Sequence, residues 1–108
     1  MTQRSIPESV KNQVDDTVIR FNQQVIEDPI YFYTTRYEDN FLYLDRTSLG
    51  VILPICRLKY TGTMGEWEFA IYQYNTQRYN PDEKLFAGWG KVDGTVEGAL
   101  RAGLEAYP

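Results

Sequence analysis

The chain has 108 residues, 43% of them hydrophobic and 24% charged, which supports one hydrophobic core and is too short for two. A formal charge of −4 and a pI near 4.7 put nucleic acid at a disadvantage, because phosphate backbones are held by clustered Lys and Arg and the basic residues here are scattered. The longest apolar stretch, Val51–Cys56, is far short of the roughly 18 residues a membrane span needs.

No apolar segment follows Met1, so no secretory leader is expected. Cys56 is the only thiol, which rules out an internal disulfide and fits a reducing compartment. The expectation is one cytoplasmic domain over 1–108, with a flexible leader over 1–5.

In chain order, Ser5-Ile6-Pro7-Glu8 predicts a helix start with Ser5 as cap and Glu8 reaching back. Val10, Val14, Val18, Phe21 and Val25 recur at helical spacing and predict one buried stripe. Asp28-Pro29 ends the helix, since the residue before proline is driven out of the helical region. From Ile30 to Asn75 the period becomes two and β-branched and aromatic residues dominate. Four strands are predicted, 30–37, 41–46, 51–60 and 66–75, joined by turns at 38–40, 47–50 and 61–65 into an antiparallel meander.

The last hairpin has a natural register. Lys59 facing Glu66 and Arg57 facing Glu68 pairs opposite charges on one side, and sets Leu58 against Trp67 and Cys56 against Phe69 on the other. Pro54 cannot donate to the ladder, so that end of its strand is an edge, a bulge or a bend. Residues 76–92 show no periodicity and read as a long ordered loop anchored by Tyr79, Phe86 and Trp89. Asp93-Gly94-Thr95 announces a closing helix to about Tyr107, capped by Asp93 or Thr95. Gly98, Ala102 and Ala106 form a small-residue stripe on it, for tight packing on the sheet or for a helix pair across a dimer.

The fold class is therefore α+β: an N-terminal helix, a four-stranded antiparallel meander, a long loop and a C-terminal helix, with both helices on one face of the sheet.

Candidate chemistry is sparse. There is no histidine, which removes the usual general base and the usual neutral metal ligand. The acidic pairs Asp15-Asp16, Glu38-Asp39 and Asp82-Glu83 lack the pattern of a calcium loop and read as caps and turns. Cys56 points inward, as inert buried thiols do. Gly88–Thr95 leads into a helix but lacks the lysine that a phosphate loop places before its hydroxyl residue. No catalytic residue, metal ligand or cofactor is assigned.

The aromatic content is the positive signal, with nine Tyr in the chain. Tyr31, Tyr33 and Tyr37 share one side of the first strand, Phe41 and Tyr43 join them across the turn, and Tyr72 and Tyr74 project outward from the fourth. Candidate binding residues are Tyr31, Tyr33, Tyr43, Tyr72, Tyr74, Tyr79 and Trp89, which would anchor a protein or stack a ligand. Alternatively the rings pack on one another or beneath the long loop.

Tyr60-Thr61-Gly62, Trp67 to Tyr72, Tyr79 through Glu83 and Val92 to Ala99 together resemble a run in a family of small uncharacterised bacterial proteins. The resemblance implies no activity. The order helix, strands, helix is also similar to the double-stranded RNA-binding domain, but the basic loop and helix start of such domains are missing.

The leading expectation is a non-enzymatic binding module for a protein or small ligand, with a homodimer through exposed sheet edges. The alternatives are an enzyme using Asp93, Glu68 or Tyr79 in a cleft between loop and sheet, and single-stranded nucleic acid on the aromatic face.

Overall fold

A computed structural model describes residues 5–108; the expected flexible leader falls, for residues 1–4, outside the described residues. The elements are α1 (Glu8–Phe21), β1 (Tyr31–Glu38), β2 (Phe41–Ser48), β3 (Val51–Lys59), β4 (Glu68–Gln73), β5 (Arg78–Asn80) and α2 (Val96–Ala106). The chain is α+β, and its antiparallel sheet has the order β1-β2-β3-β4-β5. Among the described residues the sheet has five strands rather than four. The fifth lies within the stretch read as loop, and at three residues it is too short to display a period.

α1 begins at Glu8, with Pro7 in an extended conformation as its cap and no side-chain capping bond, so Ser5 does not serve. Proline's fixed φ suits this position, and its carbonyl accepts from the Val10 and Lys11 amides. Val10, Val14, Val18 and Phe21 are buried as the spacing predicts. A single π turn over Asn22–Ile26 then follows. Because a π turn carries more residues than an α turn, it rotates the stripe: Val25 is 38% exposed and Ile26 packs on the core instead. Glu27, left-handed at φ 56, closes the segment.

Hairpin turns fix which residues share a side. Asp39, at φ 56, and Asn40 form a two-residue turn that pairs Glu38 with Phe41, Tyr37 with Leu42 and Arg36 with Tyr43. Phe41 and Tyr43 are thus on the opposite side from Tyr33 and Tyr37, which corrects the expectation that they join them. Leu49 and Gly50, at φ 52 and 83, connect β2 to β3. A bulge interrupts that pair: Leu44 faces Cys56 and Asp45 faces Pro54, leaving Ile55 extra. Of the three outcomes open at Pro54, two are found together: a bulge, and an edge, since β4 pairs only with Cys56–Lys59.

β4 pairs with β3 two residues away from the expected register. Lys59 faces Glu68, Leu58 faces Phe69, Arg57 faces Ala70 and Cys56 faces Ile71. The charge pairs Lys59/Glu66 and Arg57/Glu68 do not form, because Trp67 lies before the strand and donates its amide to the Gly94 carbonyl at 2.8 Å. A shift of two keeps every side chain on its side, so Cys56, Leu58, Phe69 and Ile71 remain buried.

In α2, Thr95 caps the helix by accepting the Gly98 amide at 3.0 Å, and Asp93 orients the cap by accepting the Thr95 hydroxyl at 2.6 Å. α2 meets β1 and β3 closely enough that a Cβ on Gly103 would overlap the Tyr33 hydroxyl and the Ile55 side chain. The core joins Val10, Val14, Val18 and Phe21 of α1, Val96, Ala99, Leu100 and Ala102 of α2, and Tyr33, Leu42, Leu44, Ile55, Leu58 and Ile71 of the sheet. Among the described residues no helix is long and apolar enough to cross a membrane.

Candidate binding surface

The register aligns Arg36, Tyr43, Arg57 and Ala70 in one row across β1 to β4. The side chains in this row are packed against aromatic neighbours. The Arg36 guanidinium lies 4.3 Å from the Tyr43 ring centre, and that of Arg57 lies 4.5 Å from Phe41 and 5.4 Å from Tyr79. Such arrangements combine cation–π attraction with burial of the methylene stem. Tyr79 meets Tyr43 at 5.3 Å and Tyr72 at 4.9 Å, and Tyr72 meets Tyr74 edge-on at 4.8 Å. Ala70 contributes only a methyl and is 2% exposed.

Asp45 sits within this layer at 5% exposure, accepting from the Arg36 Nε at 3.2 Å. That hydrogen bond holds the Arg36 guanidinium above its ordinary pKa. Burial, then the charge of Asp45, pushes the Tyr79 hydroxyl up to about 12. Arg57, by contrast, has no carboxylate within ion-pair distance among the described residues.

The candidate residues divide between two sides of the sheet and the loop. Tyr43, Tyr72 and Tyr79 come together as described, and Tyr74 adjoins them at 43% exposure, donating its hydroxyl to the Pro54 carbonyl at 2.6 Å. Tyr33 is buried, donating to the Leu100 carbonyl at 2.8 Å and accepting from Arg46 Nη2 at 2.7 Å; it is a core residue. Tyr31 accepts from the same arginine, and Tyr37 donates to Asp15 of α1 at 2.7 Å. Trp89 lies apart, in a 3₁₀ turn against Phe86, which stacks on Phe69. Sequence reasoning missed Arg36, Arg57 and Asp45. Counting the two-residue turn at Asp39-Asn40 would have placed Arg36 opposite Tyr43, and the alternation would then have carried the row to Arg57.

Other groups offer little chemistry. Burial holds the Cys56 thiol well above its ordinary pKa. An open depression of about 700 Å³ at the start of α2 contains Asp93 but neither Glu68 nor Tyr79. Asp93 is held below the usual carboxylate range by its hydrogen bonds to Thr95. The cations at that rim are already paired, Lys91 with Glu105 and Arg101 with Glu97. Among the described residues no three His, Cys, Asp or Glu side chains group to hold a metal ion. No protein-family model, curated protein or solved structure matches the chain.

Proposed function

We propose that the chain is a non-enzymatic cytoplasmic binding module, and that the side of the sheet carrying Phe41, Tyr43, Tyr72, Tyr79, Arg36 and Arg57 receives a protein partner. The reading includes both helices lying on the other side. What supports that placement is that Tyr33 and Tyr37, at alternating positions of β1, reach α2 and α1 respectively, while the Arg36–Tyr43–Arg57 row occupies the intervening positions.

The observation that carries the proposal is Arg57, half-buried between Phe41 and Tyr79 with no carboxylate of its own. Tyr and Arg with immobilised side chains lose little entropy on binding, which is why they dominate interface energetics. A partner presenting a carboxylate beside apolar groups complements this surface. The alternative of an enzyme using Asp93, Glu68 or Tyr79 has less behind it, because Asp93 lines a depression that contains neither Glu68 nor Tyr79, and burial pushes the Tyr79 hydroxyl up to about 12, which keeps it neutral near pH 7. Single-stranded nucleic acid would use the same rings and Arg57, but Glu38, Asp45 and Glu68 offset Arg36, Arg57 and Lys59 on that side, which leaves no basic excess to hold phosphate.

The test is affinity capture with the wild type and with Tyr43→Ala/Arg57→Ala, each before and after nuclease treatment. A protein held by the wild type, lost in the double variant and unaffected by nuclease is the expected result. Identical recovery by both forms would overturn the surface, and loss on nuclease treatment would assign it to nucleic acid.

A further inference from the structure

We infer that the chain self-associates through the first half of β3, with two copies pairing Val51–Leu53 about a two-fold axis at Ile52. This goes beyond the aromatic surface and rests on different residues.

The β2–β3 hairpin carries large apolar side chains that folding leaves outside. Leu49 is 77% exposed, Val51 57%, Ile52 64%, Leu53 37% and the adjacent Ile30 52%. Leu49 also adopts φ 52, a left-handed conformation that turn sequences ordinarily give to Asn, Asp or Gly. Leu49 thus carries a backbone cost at the apex and, while the hairpin stays uncovered, the further cost of an aliphatic side chain in water.

The backbone there is also half unpaired. β4 pairs only with Cys56–Lys59 of β3, so Val51–Ile55 has β2 on one side and no strand on the other among the described residues. Tyr74 donates to the Pro54 carbonyl at 2.6 Å from that second side, so the Pro54 carbonyl points to it. Because backbone groups alternate along a strand, the Ile52 amide and carbonyl point the same way. Pro54 itself closes the edge, having no N–H and a carbonyl already bonded.

These constraints leave one register. In an antiparallel pair centred on Ile52, that residue faces its own copy and the two exchange both backbone hydrogen bonds. Val51 then meets Leu53 of the second copy, and the pairing ends there, because the Tyr74 hydroxyl holds the Pro54 carbonyl from the same side. Thr47 through Cys56 contains no charged residue, so two copies of a chain of charge −4 meet there without opposing like charges. Leu49, Val51, Ile52 and Leu53 expose on the order of 400 Å² per copy, and covering both sets reaches at most on the order of 800 Å², the range of weak, transient association. The pairing is therefore a concentration-dependent dimer rather than an obligate one.

Sedimentation of the wild type across a wide concentration range should show monomer passing to dimer. Ile52→Lys should remain monomeric with an unchanged circular-dichroism spectrum and melting temperature. Under mild oxidation Ile52→Cys should yield a covalent dimer, because a residue on the axis meets itself within disulfide reach. Leu85→Cys, at a site 94% exposed but off the hairpin, should not; Cys56 is buried and does not compete. A wild type monomeric at every concentration, a dimer insensitive to Ile52→Lys, or equal cross-linking of both cysteine variants would overturn the proposal. Flotation of a monomeric wild type with phosphatidylcholine vesicles would overturn it too, assigning the hairpin to lipid.

Discussion

Asn22 and Tyr33 are joined at two points: the Asn22 amide donates to the Tyr33 carbonyl and its oxygen accepts the Tyr33 N–H, each at 2.9 Å. β1 is the edge of the sheet, and Asn22 supplies the groups that a further strand would otherwise provide. The π turn at Asn22 accompanies this bridge. Asn22→Ala should cost about 1–3 kcal/mol, the net worth of two hydrogen bonds at a partly buried site. Asn22→Asp should cost at least as much near neutral pH, because its carboxylate faces the Tyr33 carbonyl without a proton to donate. Urea titration gives the energies, and faster amide exchange at Tyr33 would locate the loss; unchanged exchange there would refute the bridge.

Gly103 and the Tyr33 hydroxyl compete for one volume. A Cβ at 103 would also come within 2.7 Å of the Ile55 Cγ2, and neither neighbour has free space because Tyr33 and Ile55 are each 1% exposed. Gly103→Ala should therefore destabilise by about 1–3 kcal/mol, despite alanine's better helix propensity. Adding Tyr33→Phe removes the clashing oxygen, so the double variant should lose less than the sum of the two single losses. Strict additivity in a double-mutant cycle would show that the two residues do not share that space.

Much of this arrangement was readable in the sequence, and the failures have physical causes. The stripe Val10, Val14, Val18 and Phe21 and the caps around Thr95 follow from local rules, and both were legible. Turn length was the weak link. The expectation that Phe41 and Tyr43 join Tyr37 across the turn overlooks the turn's length: its two residues, Asp39-Asn40, set Tyr43 against Arg36. The Lys59–Glu66 match looked favourable, yet the long connection lets Trp67 pair with Gly94, a contact 27 residues away along the chain that no local pattern encodes. Tyr33 could not be told from a surface tyrosine, because its burial depends on Gly103 admitting the ring.

Arg46 tests how a cation survives in this core. It is 2% exposed, and no carboxylate lies within ion-pair distance of it among the described residues. It donates to the Tyr31 and Tyr33 hydroxyls and the Tyr107 carbonyl, and its Nε has no acceptor. The rings of Tyr31 and Tyr33 add cation–π attraction at 5.1 and 4.7 Å. Even buried ion pairs are often matched in stability by apolar side chains of similar volume, and Arg46 has no carboxylate to repay its desolvation. Arg46→Met should thus stay within about 1 kcal/mol of the wild type, and Arg46→Ala, which leaves a cavity, should lose about 2–5 kcal/mol. A loss for Met as large as that for Ala would show that the charge itself stabilises the fold.

Alkaline pH should unfold the protein by a route that begins at Cys56. Burial raises the folded-state pKa of the thiol above its ordinary 9.0, and burial likewise raises those of Tyr33 and Tyr37 above 10.0, with Tyr79 reaching about 12. In each case the folded chain holds a proton that the unfolded chain has released, so the stabilisation is complete below the unfolded pKa and fades as pH climbs toward the folded one. Stability should therefore be level in this respect up to about pH 9. Above that, Cys56 alone should remove about 1.4 kcal/mol per pH unit, with the tyrosines joining above pH 10. Cys56→Ala will lower stability at neutral pH through lost packing, but between pH 9 and 10 its urea midpoint should fall less steeply than that of the wild type. Parallel slopes for the two proteins over that interval would mean that the thiol titrates alike in the folded and unfolded chains.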